Sequence, residues 1–119
     1  MGKKVLVIDD DEDILDAISM MLEDADYEVA TSTKGEETYK KVASFKPDII
    51  VLDVLMSGSD GRTICKNLKS DESTKQIPVL MISAHPSAKN SVIDVGADAF
   101  LAKPFNTRDM LSLVSSMFS

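Results

Sequence analysis

The stretch DIIVLDVLMSGSDG, residues 48–61, carries four consecutive apolar residues, Ile49 to Leu52, directly before a single carboxylate, Asp53. A loop containing Gly58 and Gly61 follows. An unbroken aliphatic run bounded by turn residues is typical of a strand buried on both faces, as in parallel sheets. Asp53 is therefore predicted at the carboxyl edge of a sheet, where open α/β proteins bind their ligands. An aspartate that begins a turn also has a purely structural interpretation.

The composition is that of one globular domain. The 119 residues are 44% hydrophobic and 28% charged, enough for a single sizeable core. No apolar run approaches the roughly 20 residues of a membrane span, and the segment MGKKVLVIDD turns acidic too soon for a signal peptide. The single cysteine, Cys65, excludes an internal disulfide, suits a reducing cytoplasm and is interpreted as a packed thiol. We expect one cytoplasmic domain, residues 1–119.

The charge distribution argues against nucleic acid as a direct partner. The net charge is −7, and no basic residue occurs between Val5 and Thr33. Nucleic-acid binders usually carry a basic stripe that neutralises phosphates. Ten of the twenty acidic residues lie between Asp9 and Glu28. A solvated helix face accounts for most of them, but not for the run DDDED, residues 9–13, that begins the segment.

Apolar patterns predict five strands that alternate with five helices. The strands are predicted at Val5–Ile8, Tyr27–Thr31, Ile49–Leu52, Ile77–Ser83 and Ala99–Ala102. The helices are predicted at Ile14–Ala25 with Asp10 or Asp11 as cap, from a capping box at Thr33–Glu36 to before Pro47, around Ile64, Cys65 and Leu68, from Pro86 to near Gly96, and from Asn106 or Thr107 almost to Ser119. Alternation of this kind predicts a three-layer α/β fold, a (βα)5 doubly wound parallel sheet in the order 2-1-3-4-5.

This topology brings five polar side chains to one edge of the sheet, namely Asp9, Asp10, Asp53, Ser83 and Lys103. Three adjacent carboxylates repel one another unless a cation relieves them, and the candidates are Lys103 and a bound hard metal. Mg²⁺, or Mn²⁺, suits a few carboxylates and retained waters. The lack of His, Cys and Met at this edge argues against zinc or copper. An EF-hand is excluded, because Ile14 and Met20 occupy its glycine and acidic positions.

A carboxylate beside a divalent ion, an ammonium group and a hydroxyl is a setting for phosphoryl transfer through an aspartyl-phosphate. Asp53 is predicted to attack phosphorus, while Asp9, Asp10 and Asp53 hold the metal. Lys103 and the Ser83 hydroxyl are predicted to contact the phosphoryl oxygens. Each residue alone has an ordinary structural interpretation, but the five together favour a functional site.

Four segments, VLVIDDDEDIL, IIVLDVLMSGSDG, VLMISA and AFLAKPF, resemble the signatures of response-regulator receiver domains across nearly the whole chain. The resemblance implies a flavodoxin-like fold and a histidine kinase or phosphotransfer protein as phosphoryl donor. It implies Asp53 as phospho-acceptor, Asp9 and Asp10 as the acidic metal pair, and the Leu55 carbonyl as a further metal ligand. It also implies Lys103 as the family's site lysine.

The same resemblance assigns a switch and departures from the common pattern. Ser83 would be the switch hydroxyl and Phe100 the switch aromatic, while Leu55 and His85 would tune phosphate hydrolysis. A cis peptide between Lys103 and Pro104 is implied. Ser83 replaces a frequent threonine and Phe100 a common tyrosine, so Phe100 would switch by packing alone. Ser57 stands where proline is usual, and we expect a more mobile loop at residues 56–60.

Two surfaces are expected to meet partners. A downstream protein would be controlled through the face formed by helix 4, strand 5 and helix 5. A wide apolar stripe on helix 5 is consistent with this face or with packing inward: Met110, Leu111, Leu113, Val114, Met117 and Phe118. On the other flank, Ile14, Leu15 and Ile18 can meet a kinase or phosphotransfer helix or belong to the core.

Several alternatives fit parts of the sequence. A haloacid-dehalogenase-type phosphatase requires a second Asp where Leu55 stands, and a flavodoxin-like cofactor binder requires a Ser/Thr/Gly-rich loop where DDDED stands. A receiver used only as a scaffold is disfavoured, since all five site residues are present. The chain ends after helix 5, so it is either a stand-alone regulator or a receiver module of a hybrid kinase or a larger regulator.

Overall fold

The computed structural model describes residues 3–118; Met1, Gly2 and Ser119, at the ends of the predicted domain, lie outside the described residues. Five parallel strands form the central sheet in the order β2-β1-β3-β4-β5. Their bounds are β1 Lys4–Ile8, β2 Glu28–Ser32, β3 Ile49–Asp53, β4 Val79–Ser83 and β5 Ala99–Ala102. The predicted three-layer (βα)5 fold and the strand order 2-1-3-4-5 are therefore confirmed.

Helices cover both faces of the sheet. Their bounds are α1 Glu12–Asp24, α2 Thr38–Phe45, α3 Gly61–Ser70, α4 Lys89–Asp94 and α5 Thr107–Met117. Short 3-10 turns at Gly35–Glu37 and Pro86–Ala88 precede α2 and α4. Helices α1 and α5 pack on one face, and α2, α3 and α4 pack on the other.

The three central strands are buried on both faces because their side chains alternate between two apolar cores. Leu6, Ile50 and Met81 point into the core beneath α2–α4, whereas Val7, Val51 and Ile82 point into the core beneath α1 and α5. Nearly every residue of β1, β3 and β4 is buried as a result. This arrangement explains why the sequence shows continuous apolar runs rather than alternation.

Helix starts differ from the predictions in three places, one of which is α4, which begins at Lys89 because a 3-10 turn occupies the predicted start at Pro86. Helix α1 begins at Glu12, two residues before the predicted Ile14, and Asp11 rather than Asp10 caps it by accepting bonds from the Asp13 and Ile14 amides. The predicted capping box at Thr33–Glu36 is wrong. Instead, Ser32 Oγ donates to Glu37 Oε1 at 2.8 Å and accepts from the Lys34 amide.

The apolar stripe of α5 packs inward. Met110 and Val114 are fully buried, and the other four members contact the core beneath α1 and α5. Phe118 stacks on Tyr27 with ring centroids 5.8 Å apart. The width of the stripe is therefore accounted for by packing and gives no separate support for a docking surface.

Two further observations concern surfaces. Leu15 and Ile18 are buried in the core, so only Ile14 of the three residues suggested for kinase contact is half-exposed. Among the helices described for residues 3–118, none is long and apolar enough to span a bilayer.

Candidate functional site

The predicted carboxylates meet at the carboxyl edge of the sheet. Asp9 directly follows β1, and Asp53 is the last residue of the neighbouring β3, where Ile8 pairs with Leu52. One oxygen from each of Asp9, Asp10 and Asp53 lies within 4.8 Å of the others. The Asp9 side chain is fully buried and that of Asp53 nearly so, whereas Asp10 is exposed.

Lys103 supplies the positive charge of this cluster. It follows β5, and its Nζ lies 2.9 Å from Asp9 Oδ2 and 3.6 Å from Asp53 Oδ2. The peptide bond between Lys103 and Pro104 is cis, as the resemblance implied. One ammonium group balances only one of three carboxylates, so the site carries excess negative charge.

Burial and the neighbouring carboxylates change the pKa of Asp53. The pKa of Asp53 is raised from 3.8 to about 6, first by burial, then by the neighbouring Asp9 charge and least by Asp10. The Lys103 charge and the Leu55 backbone N–H act in the opposite direction by stabilising the carboxylate. Asp53 therefore lies close to half-ionised near pH 6 until another cation approaches.

Backbone N–H groups orient the other two carboxylates. The Asp11 amide donates to Asp9 Oδ1 at 3.0 Å, in addition to the ammonium contact at Asp9 Oδ2. The Ser57 amide donates to Asp10 Oδ2 at 2.8 Å and joins residues 47 positions apart in sequence. Sequence interpretation missed both donors.

The donor set fits a hard divalent cation. Three carboxylates offer oxygen ligands that converge on one point, and their net negative charge disfavours every species except a cation. An ion with retained waters, such as Mg²⁺ or Mn²⁺, matches a cluster that is open on the side of the exposed Asp10. The Leu55 carbonyl as a further ligand stays a prediction; its side chain is 50% exposed.

A small hairpin forms the wall beside Asp53. Leu55–Met56 pairs antiparallel with Ser59–Asp60, and Asp60 then caps α3 by accepting from the Arg62 amide. Gly61 is required here, because a Cβ would collide with the Asp53 carbonyl oxygen. The hairpin is thereby held against the end of β3 rather than extending into solvent.

The remaining predicted residues lie on β4 and β5. Ser83 ends β4 with 2% of its surface exposed, and its Oγ accepts from the His85 amide at 3.0 Å. Ser83 pairs with Ala102, and its carbonyl accepts from the Lys103 amide, which brings the ends of both strands together. The His85 side chain is exposed. Phe100 is half-buried against the core beneath α2–α4.

The comparison with known proteins agrees with this geometry. Residues 5–115 match the family profile of the response regulator receiver domain. The alkaline phosphatase synthesis transcriptional regulatory protein PhoP of Bacillus subtilis is 38% identical over 119 residues, which are 98% of this chain and 49% of that regulator. The chain spans about half the length of the curated relatives it matches.

Solved structures extend the comparison to the fold. The chemotaxis response regulator CheY4 of Vibrio cholerae has a TM-score of 0.91 at 32% identity, over 98% of this chain and 99% of that one. The signal receiver domain of a histidine kinase from Syntrophus aciditrophicus has a TM-score of 0.89 at 26% identity, over 98% and 89%. Together with a sheet edge that collects three carboxylates and a lysine, these matches lead to one conclusion: the chain belongs to the response regulator receiver domain family, whose role is that of a phospho-accepting signalling switch.

Proposed function

We propose that Asp53 is the phospho-acceptor and takes a phosphoryl group from a phosphohistidine. The observation that carries this proposal is the convergence of Asp9, Asp10 and Asp53 within 4.8 Å, with Lys103 Nζ 3.6 Å from Asp53. Asp53 is the carboxylate that combines a near-buried side chain with a raised pKa, features that cluster at reactive groups. The chain's own catalysis is confined to its phosphorylation and dephosphorylation.

In the transfer step, an oxygen of Asp53 forms a bond to phosphorus while the bond from phosphorus to the donor imidazole breaks. The imidazole nitrogen keeps the electron pair of the broken bond, and the product is an aspartyl-phosphate. Lys103 is placed to neutralise negative charge that reaches the site with the phosphoryl oxygens. The Ser83 hydroxyl supplies a donor at the end of the neighbouring strand.

Asp9, Asp10 and Asp53 would hold Mg²⁺ or Mn²⁺, with the Leu55 carbonyl as a further ligand. A divalent ion at this position supplies positive charge that offsets the phosphoryl oxygens and keeps Asp53 ionised. The protein's contribution is to hold Asp9 between the Asp11 amide and the Lys103 ammonium group, so that its carboxylate cannot turn away.

The switch that follows phosphorylation is proposed to involve Ser83 and Phe100. A phosphoryl group adds roughly −1.5 to −2 charges and three acceptor oxygens, which would draw the Ser83 hydroxyl and the β4–α4 loop toward Asp53. Phe100, half-buried on the adjacent strand, would repack into the space released. The face of α4, β5 and α5 would carry the change to a downstream protein; Ile93 of α4 is 54% exposed there. Leu55 and His85 would control water at the phosphate.

The phosphoryl donor is proposed to be a histidine kinase or a phosphotransfer protein. A groove of about 400 Å³ beside Lys103 is lined by Ile14, Ala17, Met21 and Phe105. A helix of the donor protein would bind in this apolar groove. The 119-residue chain has a net charge of −7, and we do not expect it to contact DNA directly. Either a hybrid kinase or a larger regulator can contain such a receiver.

The test is phosphorylation by acetyl phosphate in Mg²⁺, read by intact mass and by mapping the modified residue. We expect one phosphoryl group on Asp53 and none in Asp53→Asn. Asp48→Asn is the matched control, since Asp48 precedes the same strand at the opposite edge of the sheet and its Oδ2 accepts from the Lys4 amide, a bond the Asn carbonyl preserves.

Modification at another residue, or an Asp53→Asn chain that is modified normally, would overturn the proposal. EDTA should abolish the reaction, and an unchanged rate in EDTA would refute the metal site. Turnover of added phosphate esters would favour the aspartyl phosphatase alternative; the apolar, half-exposed Leu55 side chain offers no second acid for it.

A further inference from the structure

The hairpin beside Asp53 is joined to the metal cluster by one backbone donor. The ladder pairs Leu55 with Asp60 and Met56 with Ser59, which leaves Ser57 and Gly58 as a two-residue connection. Gly58 has a φ of +77°, whereas Ser57 is not among the residues with positive φ. A negative φ followed by a positive one fits a type II turn, in which the first central position is often proline.

A turn of this type leaves the N–H at its first central position unused, because the turn bond joins the outer two residues. In this chain, that free N–H is the Ser57 amide, and it donates to Asp10 Oδ2 at 2.8 Å. Proline at position 57 would fit the same turn but would remove the donor. The replacement of proline by serine therefore adds a hydrogen bond, which the sequence interpretation of a looser loop did not include.

Asp10 is the exposed carboxylate of the cluster, and the bond from the Ser57 amide restrains its orientation. Asp9 is buried, contacts Lys103 and accepts from the Asp11 amide. Asp10 is exposed, and among the hydrogen bonds of residues 3–118 its carboxylate accepts only from Ser57. The bond from the Ser57 amide is made to Oδ2, and Oδ1 accepts none of the hydrogen bonds described for residues 3–118, so the carboxylate is oriented without both oxygens being used.

The hairpin that carries Ser57 is itself fixed at two other points. A Cβ on Gly35 would lie 2.7 Å from Ser59 Cβ, so the 3-10 turn before α2 packs closely against the hairpin. Gly61 packs against the Asp53 carbonyl. Ser57 therefore presents its amide from a braced position rather than from a free loop.

We propose that the Ser57 backbone N–H is a positioning group for the metal site, which orients the Asp10 carboxylate for Mg²⁺ before the ion arrives. This role rests on the proposed magnesium site. A ligand whose orientation is fixed in advance loses less conformational freedom on binding, so the bond favours metal affinity. The side chain of Ser57 has no part in it; the role belongs to the amide.

The experiment compares Ser57→Pro, which removes the donor, with Ser57→Ala, which keeps it. Mg²⁺ affinity is measured by calorimetry, and urea unfolding of the metal-free variants checks that both are folded. Partners of metal ligands typically alter affinity about 10–100-fold, and this bond is exposed, so we expect Ser57→Pro to raise the Kd for Mg²⁺ about threefold to tenfold. Ser57→Ala should bind Mg²⁺ as the original chain does.

A second measurement tests the bond without any metal. In the metal-free protein, we expect the Ser57 amide to exchange with solvent more slowly than the Gly58 amide, and Asp10→Ala should remove the difference. If Ser57→Pro binds Mg²⁺ as tightly as Ser57→Ala or more tightly, or if the Ser57 amide is unprotected, the positioning role is overturned while the proposed function stands. If the original chain binds no Mg²⁺, the metal site itself fails and the positioning role fails with it.

Discussion

At the scale of single residues, Asp53 has a carboxylate whose charge is unfavourable in the metal-free fold. Its carboxylate is nearly buried beside Asp9, and its pKa rises to about 6 because of burial first and the Asp9 charge second. A raised acid pKa means that the folded chain holds the proton more tightly than the unfolded chain does. Ionisation of Asp53 therefore destabilises the metal-free fold.

The sign of this effect defines a prediction for Asp53→Asn. The destabilisation is absent well below pH 3.8, where both states are protonated, grows between pH 3.8 and about 6, and is complete above that range, where both are ionised. The shift already includes the opposing Lys103 contact and corresponds to about 2–3 kcal/mol, so Asp53→Asn should be about 2–3 kcal/mol more stable at pH 7 without metal. The stability difference between the two chains should grow from pH 4 to pH 6 in urea unfolding series.

The stability of Asp53→Asn must be compared with that of the original chain at each pH, because other groups also titrate. Hydrogen bonds from Arg62 and Ser73 lower the pKa values of Asp60 and Asp71, so these two carboxylates stabilise the fold of both chains as pH rises. Asp48→Asn again serves as the control, since it makes the same substitution at the opposite end of β3. An Asp53→Asn chain with the same pH dependence as the original would contradict the burial of an unfavourable charge.

Cys65 gives a second prediction at this scale. The thiol is fully buried on α3 beside the Val95 carbonyl, and burial raises its pKa from 9.0 to about 11. That shift lowers the thiolate fraction about 100-fold, and the closed surface around the thiol slows reagents further. We expect alkylation by iodoacetamide at pH 8 to be at least that much slower in the folded chain than in urea. Rapid alkylation of the folded chain would show that α3 opens readily.

The sequence predicted those site residues that follow strands. Asp9, Asp53 and Lys103 were predictable because each stands directly after an apolar run, and parallel strands bring their carboxyl ends to one edge. The amides of Asp11 and Ser57 were not, since every residue except proline has a backbone N–H and no pattern marks which one faces a carboxylate. The absence of proline at position 57 was the available signal, but by itself it indicates a lost restraint as readily as a gained donor.

At the scale of elements, the strands were more predictable than the helix starts. The bounds of β1 and β3 differ from the prediction by one residue, because burial on both faces forces apolar runs. The bounds of β5, a partly buried edge strand, match the prediction. The start of α2 was less predictable because a 3-10 turn precedes it, and because the hydrogen bond from the Ser32 hydroxyl to Glu37 spans a different interval from a capping box.

The hairpin between β3 and α3 gives a prediction that separates two roles of glycine. At Gly61, a Cβ would collide with the Asp53 carbonyl oxygen, so Gly61→Ala must displace the backbone at the site. At Gly58, φ is +77° but no atom lies within 4 Å of the point that a Cβ would occupy, so Gly58→Ala adds only backbone strain. We expect losses of about 3 kcal/mol or more for Gly61→Ala and about 1–2 kcal/mol for Gly58→Ala in urea unfolding.

Mg²⁺ affinity distinguishes the same two variants. Gly61→Ala displaces the backbone carbonyl of Asp53 and should weaken Mg²⁺ binding, whereas Gly58→Ala leaves the hairpin pairing beside Asp53 in place. A larger stability loss for Gly58→Ala than for Gly61→Ala would show that the hairpin is constrained by its turn rather than by its contact with β3.

At the scale of the whole molecule, a run of five acidic residues, 9–13, lies at the carboxyl edge of the sheet, from the end of β1 into the start of α1. The chain carries a net charge of −7, and the first two residues of the run, Asp9 and Asp10, form the carboxylate cluster together with Asp53. The two apolar cores are complete without this edge, so the fold tolerates its repulsion. Stability and cation binding are therefore linked through the site, and a divalent ion is expected to stabilise the entire domain.

This linkage predicts that Asp53→Asn raises the stability of the metal-free chain but lowers the stability gained from Mg²⁺. A ligand that binds only the folded state adds about 1.4 kcal/mol of stability for each tenfold rise in its concentration above Kd. The original chain should gain stability in this way with Mg²⁺, while equal ionic strength from NaCl should give little. Asp53→Asn should be more stable than the original chain without metal, because it lacks the buried charge, but it also lacks a proposed metal ligand and should gain less stability from Mg²⁺. The two unfolding free energies should therefore converge or cross as Mg²⁺ rises, and parallel curves would show that Asp53 does not contribute to the metal site.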